Sequence, residues 1–252
     1  MHNLKPKKQL GQHFLRDTQA ARRIVDALKA PEGAFVAEIG PGEGVLTGFL
    51  LEKYSALTAI EIDTEAVQLL NQRFAGTSLR IVHTDVLTWD PAGEGDHLYL
   101  IGNLPYNISS PFFFLMLENR SRIEEGVFMI QKEVAERICA PPGSKTYGIL
   151  SVLLQAFFEV KYVFSVPPGA FRPPPKVMSG VIRLVKRAEV PDISFADFKK
   201  VVKTAFQQRR KTLRNALSGL DFEENPQLEA LWPQRAEQLG VAEFLLLTRC
   251  LK

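Results

Sequence analysis

Short apolar runs rich in β-branched residues alternate with helix-period segments through the first three quarters of the chain, and this alternation constrains the fold more than any other feature. Strand patterns fall at 35–40, 57–62, 79–85, 98–103, 126–131, 161–166 and 180–185. Amphipathic segments near 44–54, 64–75 and 109–118 separate the first five, with a weaker link at 88–97. Two more, near 132–139 and 147–158, precede the sixth. Regular strand–helix alternation specifies an α/β fold, here a seven-stranded, mostly parallel sheet covered on both faces. Only the Pro-rich VPPGAFRPPPKVMS separates the last two strands, so they are expected to form an antiparallel pair joined by a long loop.

After Lys186 the pattern becomes wholly helical. Ser194 is placed to cap a helix whose apolar stripe is Phe195, Phe198, Val202, Ala205, Phe206, Leu213 and Leu217, with Gly219 as its stop. Helical segments around 226–238 and 241–251 complete a small all-α region. The expected division is a domain at 1–187 and a helical domain at 188–252.

The net charge of +3 is unevenly spread. Residues 1–30 hold seven Lys/Arg against two acids, and 199–214 hold seven with no acid, so the remainder is acidic. Two basic segments on an acidic body point to a polyanionic partner, although each is also compatible with a solvated helix face. No apolar run approaches the ~20 residues that span a bilayer. Two widely separated cysteines, Cys139 and Cys250, argue against a disulfide framework and a Cys-based zinc site, leaving a reducing cytoplasm as the expected setting and no metal expected.

Chemistry concentrates at the strand ends. FVAEIGPGEGVLT sets Glu38, Gly40, Gly42 and Gly44 where the first strand turns into a helix. Glycines there allow a sharp turn and close approach of a ligand to the backbone. The third glycine follows the second by two positions, whereas the dinucleotide fingerprint places it three later. Glu61 ends the second strand, suited to ribose hydroxyls, and Asp85 the third, suited to an adenine amine. Each acid alone reads more readily as a helix N-cap or solvated turn. Together, at consecutive strand ends, they look like an S-adenosylmethionine site of a Rossmann-like class I methyltransferase, while the spacing leaves NAD open.

The fourth strand runs into Asn103-Leu104-Pro105-Tyr106. Pro105 holds Leu104 extended, so the Asn103 side-chain oxygen and the Leu104 carbonyl can both face outward beside an aromatic ring. Two acceptors on the N–H bonds of an aromatic amine would draw its nitrogen toward tetrahedral geometry and aim its lone pair at a methyl donor. Tyr106 can stack on the base.

GQHFL at 11–15, EIGPGEG at 38–44, IEID at 60–63, GNLPYNIS at 102–109, QKEVAERI at 131–138, FRPPPKV at 171–177 and FQQRRKTLRN at 206–215 together resemble the ribosomal RNA adenine dimethyltransferase family. The last two segments point to its small-subunit branch, which dimethylates two adjacent adenosines near the 3′ end of 16S rRNA. The resemblance implies that His13, Leu15, Gly40, Glu61, Asp85 and Asn103 contact S-adenosylmethionine. It implies that Asn103, Leu104 and Tyr106 hold the target amine and that Phe171 closes on the base opposite Tyr106. His13 departs from the asparagine of many members but keeps hydrogen-bonding capacity. His2, His83 and His97 read as structural. The expected RNA contacts are Lys7, Lys8, Lys199, Lys203, Arg209, Arg210, Lys211 and Arg214, on a monomeric protein whose partner is 16S rRNA in a small-subunit precursor. Rival readings are a large-subunit rRNA or DNA adenine methyltransferase, or an assembly factor that binds RNA without catalysis.

Overall fold

The computed structural model describes residues 4–95 and 97–252, except the side chains of Lys8 and Ala92. His2 and the Lys8 side chain thus lie outside the described residues. The strands are β1 (Phe14–Leu15), β2 (Phe35–Ile39), β3 (Leu57–Glu61), β4 (Leu79–His83), β5 (Leu98–Asn103), β6 (Ile123–Gln131), β7 (Phe158–Val166), β8 (Phe171–Arg172) and β9 (Ser179–Lys186). The α-helices are α1 (Thr18–Ala27), α2 (Val45–Lys53), α3 (Thr64–Arg73), α4 (Ser109–Glu118), α5 (Lys132–Cys139), α6 (Ile149–Phe157), α7 (Phe195–Gln207), α8 (Leu213–Ala216), α9 (Pro226–Glu229) and α10 (Val241–Arg249).

Seven strands form one sheet in the order β4-β3-β2-β5-β6-β9-β7. β4, β3, β2, β5 and β6 are parallel, and β9 runs antiparallel to β6. The expected neighbours β7 and β9 are adjacent, but β9 also inserts beside β6. The winding reverses at β2, which pairs β3 on one side and β5 on the other. Such a reversal leaves a crevice at the carboxyl ends of the strands, where open α/β sheets bind ligands. Val36, Ala37 and Ile39 of β2 are essentially inaccessible, as a central strand covered on both faces requires. In edge strand β4, LRIVH, Leu79, Ile81 and Val82 are partly buried and Arg80 and His83 exposed.

Pairing of β1 with β8, Leu15 against Phe171, adds a two-stranded ribbon that the sequence reading did not include. Helix α1 was also unforeseen, although Asp17 caps it by accepting from the Ala20 N–H at 3.0 Å. Among its described residues, the weak link at 88–97 holds no α-helix, and 3₁₀ turns fall at Val86–Thr88 and Pro91–Glu94.

The chain divides into two compact units, one through Ala135 with Lys161–Lys186, the other of Glu136–Val160 with Arg187–Lys252. A single cut at 187/188 leaves 136–160 with the first unit, whereas contacts group that segment with the C-terminal helices. Within the second unit Phe157 meets Phe195 and Phe198 edge-on, and Phe206 stacks on Phe244.

Ser194 caps α7 through Asp197 N–H, but the helix stops at Gln207 instead of running to Gly219. The Leu213 and Arg214 N–H groups donate to the Gln234 and Trp232 carbonyls, not to residues four earlier. This tertiary capture breaks one expected helix into α7 and α8. The segment expected to be helical at 226–238 is likewise broken: Pro233 follows the short α9, and a 3₁₀ turn covers Ala236–Gln238.

Gly102 and Gly48 test the packing in opposite directions. A Cβ on Gly102 would stand 2.5 Å from the Ile39 carbonyl oxygen, whereas one on Gly48, inside α2, meets nothing within 4 Å. Gly102→Ala should lose about 1–3 kcal/mol of unfolding free energy. Gly48→Ala should gain ~0.5–1 kcal/mol through its lower backbone entropy cost. Urea denaturation of both variants measures the contrast.

Candidate functional site

The carboxyl ends of β2, β3 and β5 and the segment 10–15 enclose a cavity of about 240 Å³. Gly40 and Gly42 have φ of +65° and +55°, left-handed conformations that favour glycine. A Cβ on Gly40 would fill the space 3.9 Å from both the Asn103 carbonyl oxygen and Pro105 Cδ. One on Gly42 would press at 3.0 Å on the Phe14 ring.

Glu61 organises this end of the sheet. Its Oε2 accepts the Gly42 N–H at 3.0 Å, and Oε1 accepts the N–H groups of Ile62 and Asp63, both at 2.9 Å. Burial pushes its carboxyl above the ordinary range, and the three N–H groups oppose that shift. A carboxylate offers about four lone-pair directions, so acceptor capacity toward the cleft remains. Asp85 caps the turn after β4 by accepting from Leu87 N–H at 2.9 Å, and also lines the cavity.

Glu38 is 1% exposed and accepts from Thr47 Oγ1 at 2.6 Å. Loss of solvent raises its pKa to about 8, with the Glu61 charge adding to the effect. It is therefore largely a neutral acid at pH 7.

Asn103 ends β5, and its Nδ2 donates to the His13 carbonyl at 3.0 Å. Its Oδ1 is thus the atom left to accept. The Leu104 N–H is spent on Met129 O at 3.0 Å, which fixes the backbone before Pro105. Tyr106 OH bonds Ser179 Oγ at 2.8 Å, and burial raises its pKa, keeping the phenol neutral. The His13 ring lies 5.6 Å from the Tyr106 ring, with Nδ1 2.8 Å from Pro173 O. A carbonyl only accepts, so Nδ1 carries the proton.

His13, Leu15, Gly40, Glu61, Asp85, Asn103, Leu104 and Tyr106 all line this one cavity. Phe171 does not. Its ring is 5% exposed, in an apolar cluster with Leu15, Ile24, Met129 and Val181. Phe171 sits on β8, paired with Leu15 of β1. Ser179, Asp63 and Thr47 support the site but were not singled out; Ser179 and Asp63 meet partners 73 and 51–56 residues away, whereas Thr47 lies nine residues from Glu38. His83 Nε2 lies 3.2 Å from Ile62 O and His97 Nδ1 3.1 Å from Glu124.

The expected RNA contacts do not form one helical face. Lys7 is committed to Asp63 and Glu65, at 2.6 and 3.0 Å. Lys199 and Lys203 lie half-buried on α7, whereas Arg210 and Lys211 are exposed in the turn after it. Arg209 donates to Lys145 O at 2.7 Å, and exposed Arg214 pairs with Glu229 at 3.3 Å. Among the described residues, no group of three or more His, Cys, Asp or Glu is placed to hold a metal ion.

The Glu38 environment has a pH consequence. The unfolded chain releases this proton near 4.5, the folded chain only near 8, so the native state loses stability as pH rises through that window. Glu38→Gln should therefore gain on the parent protein between pH 5 and 8, by on the order of a few kcal/mol. Urea titrations at both pH values check it; a constant gap would mean that Glu38 is ionised throughout.

Residues 3–250 match the family described as ribosomal RNA adenine dimethylase. The Ribosomal RNA small subunit methyltransferase A of Flavobacterium johnsoniae is 47% identical, with 99% of this chain and 97% of that one covered. Its namesake from Porphyromonas gingivalis (strain W83) is 49% identical over the whole of both chains. Among solved structures, a dimethyladenosine transferase from Plasmodium falciparum aligns with a TM-score of 0.82 at 26% identity, covering 93% of this chain and 96% of that one. The 23S rRNA methyltransferase ErmE aligns at 0.71 and 27% identity, covering 92% and 99%. Strand order, the Asn-Leu-Pro-Tyr corner and full-length similarity converge: this chain belongs to the ribosomal RNA adenine dimethylase family.

Proposed function

We propose that the protein transfers methyl groups from S-adenosylmethionine to the exocyclic amines of two adjacent adenosines near the 3′ end of 16S rRNA, within a small-subunit precursor in the cytoplasm. The observation that carries this reading is the Asn103 corner: its Nδ2 is held by the His13 carbonyl, which turns Oδ1 into a fixed acceptor. Full-length relatives named for the small subunit, at 47% and 49% identity, favour that RNA over the large-subunit substrate named for ErmE at 27%. An intact acceptor pair with its own cleft favours catalysis over RNA binding alone.

The residues suit the cofactor. The space a Cβ on Gly40 would fill lets a ligand reach the backbone. Glu61 would take the ribose hydroxyls, Asp85 the adenine amine, and His13 and Leu15 would close the wall from the N-terminal segment. When bound, the cofactor supplies an electrophilic methyl group. Asn103 Oδ1 and the Leu104 carbonyl would grip the two N–H bonds of the adenine amine, directing its lone pair at that methyl. Tyr106, anchored by Ser179, would stack on the extruded base. Catalysis then rests on positioning and electrostatics more than on a general base. The neutral Glu38 would limit negative charge behind Glu61.

The buried Phe171 ring makes Tyr106 the principal stacking surface in this proposal. Arg210 and Lys211, exposed beyond α7, are the foremost candidates for phosphate contacts, with Lys199, Lys203, Arg209 and Arg214 contributing charge on the same unit. The helical region is proposed as the RNA-binding part and the protein as a monomer.

Asn103→Ala should lower kcat for labelled methyl transfer to undermethylated small subunits by at least ~100-fold, on the scale of losing an electrostatic contact specific to the transition state. Thermal unfolding should stay within a few degrees of the parent; near-normal turnover would refute the role. Joint replacement of Arg210 and Lys211 by alanine should weaken RNA binding and reduce the slope of log K against log salt by about one to two. An unaltered slope would mean that this turn does not touch phosphate.

A further inference from the structure

The N-terminal arm forms one wall of the cleft: Leu10, Gly11, Gln12, His13, Phe14 and Leu15 all line it. Outside that wall the arm is tied to the rim of the sheet. Lys7 Nζ lies 2.6 Å from Asp63 Oδ1 and 3.0 Å from Glu65 Oε1, and Gln12 Nε2 donates to Asp63 Oδ2 at 2.9 Å. Leu4 N–H donates to Glu43 Oε1 at 3.2 Å, and Arg16 lies 3.6 Å from the same carboxylate. Between these ties Gly11 turns with φ of +62°, where a Cβ would sit 2.6 Å from Asn107 Oδ1.

Asp63 is the hub. Its side chain is 1% exposed, caps α3 through the Glu65 N–H, and lies two residues beyond Glu61. Burial works against its charge, yet the bonds from Lys7, Gln12 and Glu65 N–H hold its carboxyl below the usual range. Asp63 and Glu65 in turn raise the pKa of Lys7. An unpaired carboxylate at this depth is costly, so the arm and the sheet end stabilise one another.

We infer that Lys7, together with Gln12, is a positioning residue for the cofactor, latching the N-terminal arm onto Asp63 so that the cleft wall and the His13 carbonyl on Asn103 stay in place. This rests on the reading of the cleft as the S-adenosylmethionine site. It also removes Lys7 from the RNA-binding set, since its ammonium is committed to two carboxylates. A latch acts on the fraction of molecules whose cleft is closed, and apparent affinity falls in proportion to that fraction.

The test uses the full chain without RNA, with S-adenosylhomocysteine as the probe in calorimetry. Lys7→Ala should bind it roughly three- to tenfold more weakly, a modest factor because the Lys7 pairs are partly solvated. Lys7→Arg, which can still reach both carboxylates, should bind nearly as the parent does. In methyl-transfer assays the loss should fall on the KM for S-adenosylmethionine more than on kcat. Equal affinity of Lys7→Ala and parent would overturn the latch. So would a flattened RNA salt dependence with unaltered probe affinity, which would make Lys7 a phosphate contact. A parent protein that fails to bind the probe overturns the cofactor reading itself, and the latch with it.

Discussion

Glu61 accepts three backbone N–H groups from two places: Gly42 in the loop after β2, and Ile62 and Asp63 beyond its own strand. That buried carboxylate binds the glycine turn to the neighbouring strand end and so sets the floor of the cleft. Without it, three N–H groups at a strand terminus would lose their partner in a region with little access to water. In the proposed reading the same carboxylate would also accept from a ribose, adding a ligand role to its architectural one.

The acids around it are graded by environment. Glu38, without a cation nearby, stays protonated near neutrality. Asp63, two residues from Glu61, keeps its charge because Lys7 and Gln12 reach it from the N-terminal arm. Three carboxyls within one stretch of sheet would repel strongly if all were ionised and unpaired. Neutralising one and pairing another removes most of that repulsion while retaining an acceptor at the strand end.

Much of the first unit was legible in the chain. Alternation of strand and helix periods located all seven strands of the main sheet, and Leu98–Asn103 agrees at both ends with its pattern. Eight residues read from strand ends and motifs line one cavity: six lie at or just beyond carboxyl ends of the parallel sheet, which share one edge, and His13 and Leu15 come from the N-terminal arm. The two-residue strands β1 and β8 were not legible, since two residues carry no periodicity. Phe171 shows the consequence: only family resemblance gave it a role, and neither its β1–β8 pairing nor its place in the apolar cluster was legible from the chain. In the helical unit, an apolar stripe running to Leu217 suggested one helix as far as Gly219, and the carbonyls of Trp232 and Gln234 break it.

The sequence by itself determined the α/β layering, the glycine turn, the acids at strand ends and the Asn-Leu-Pro-Tyr corner, because each is local and depends on residue type and period. Only the tertiary structure decided how charges are spent. Lys7 and Arg210 are alike as letters in basic segments, yet one is committed to Asp63 and Glu65, the other exposed in a turn. The difference arises from contacts 56 and 58 residues apart in sequence for Lys7, which no local pattern encodes. Chain folding brings a cation to a buried carboxylate, and burial makes that pairing matter.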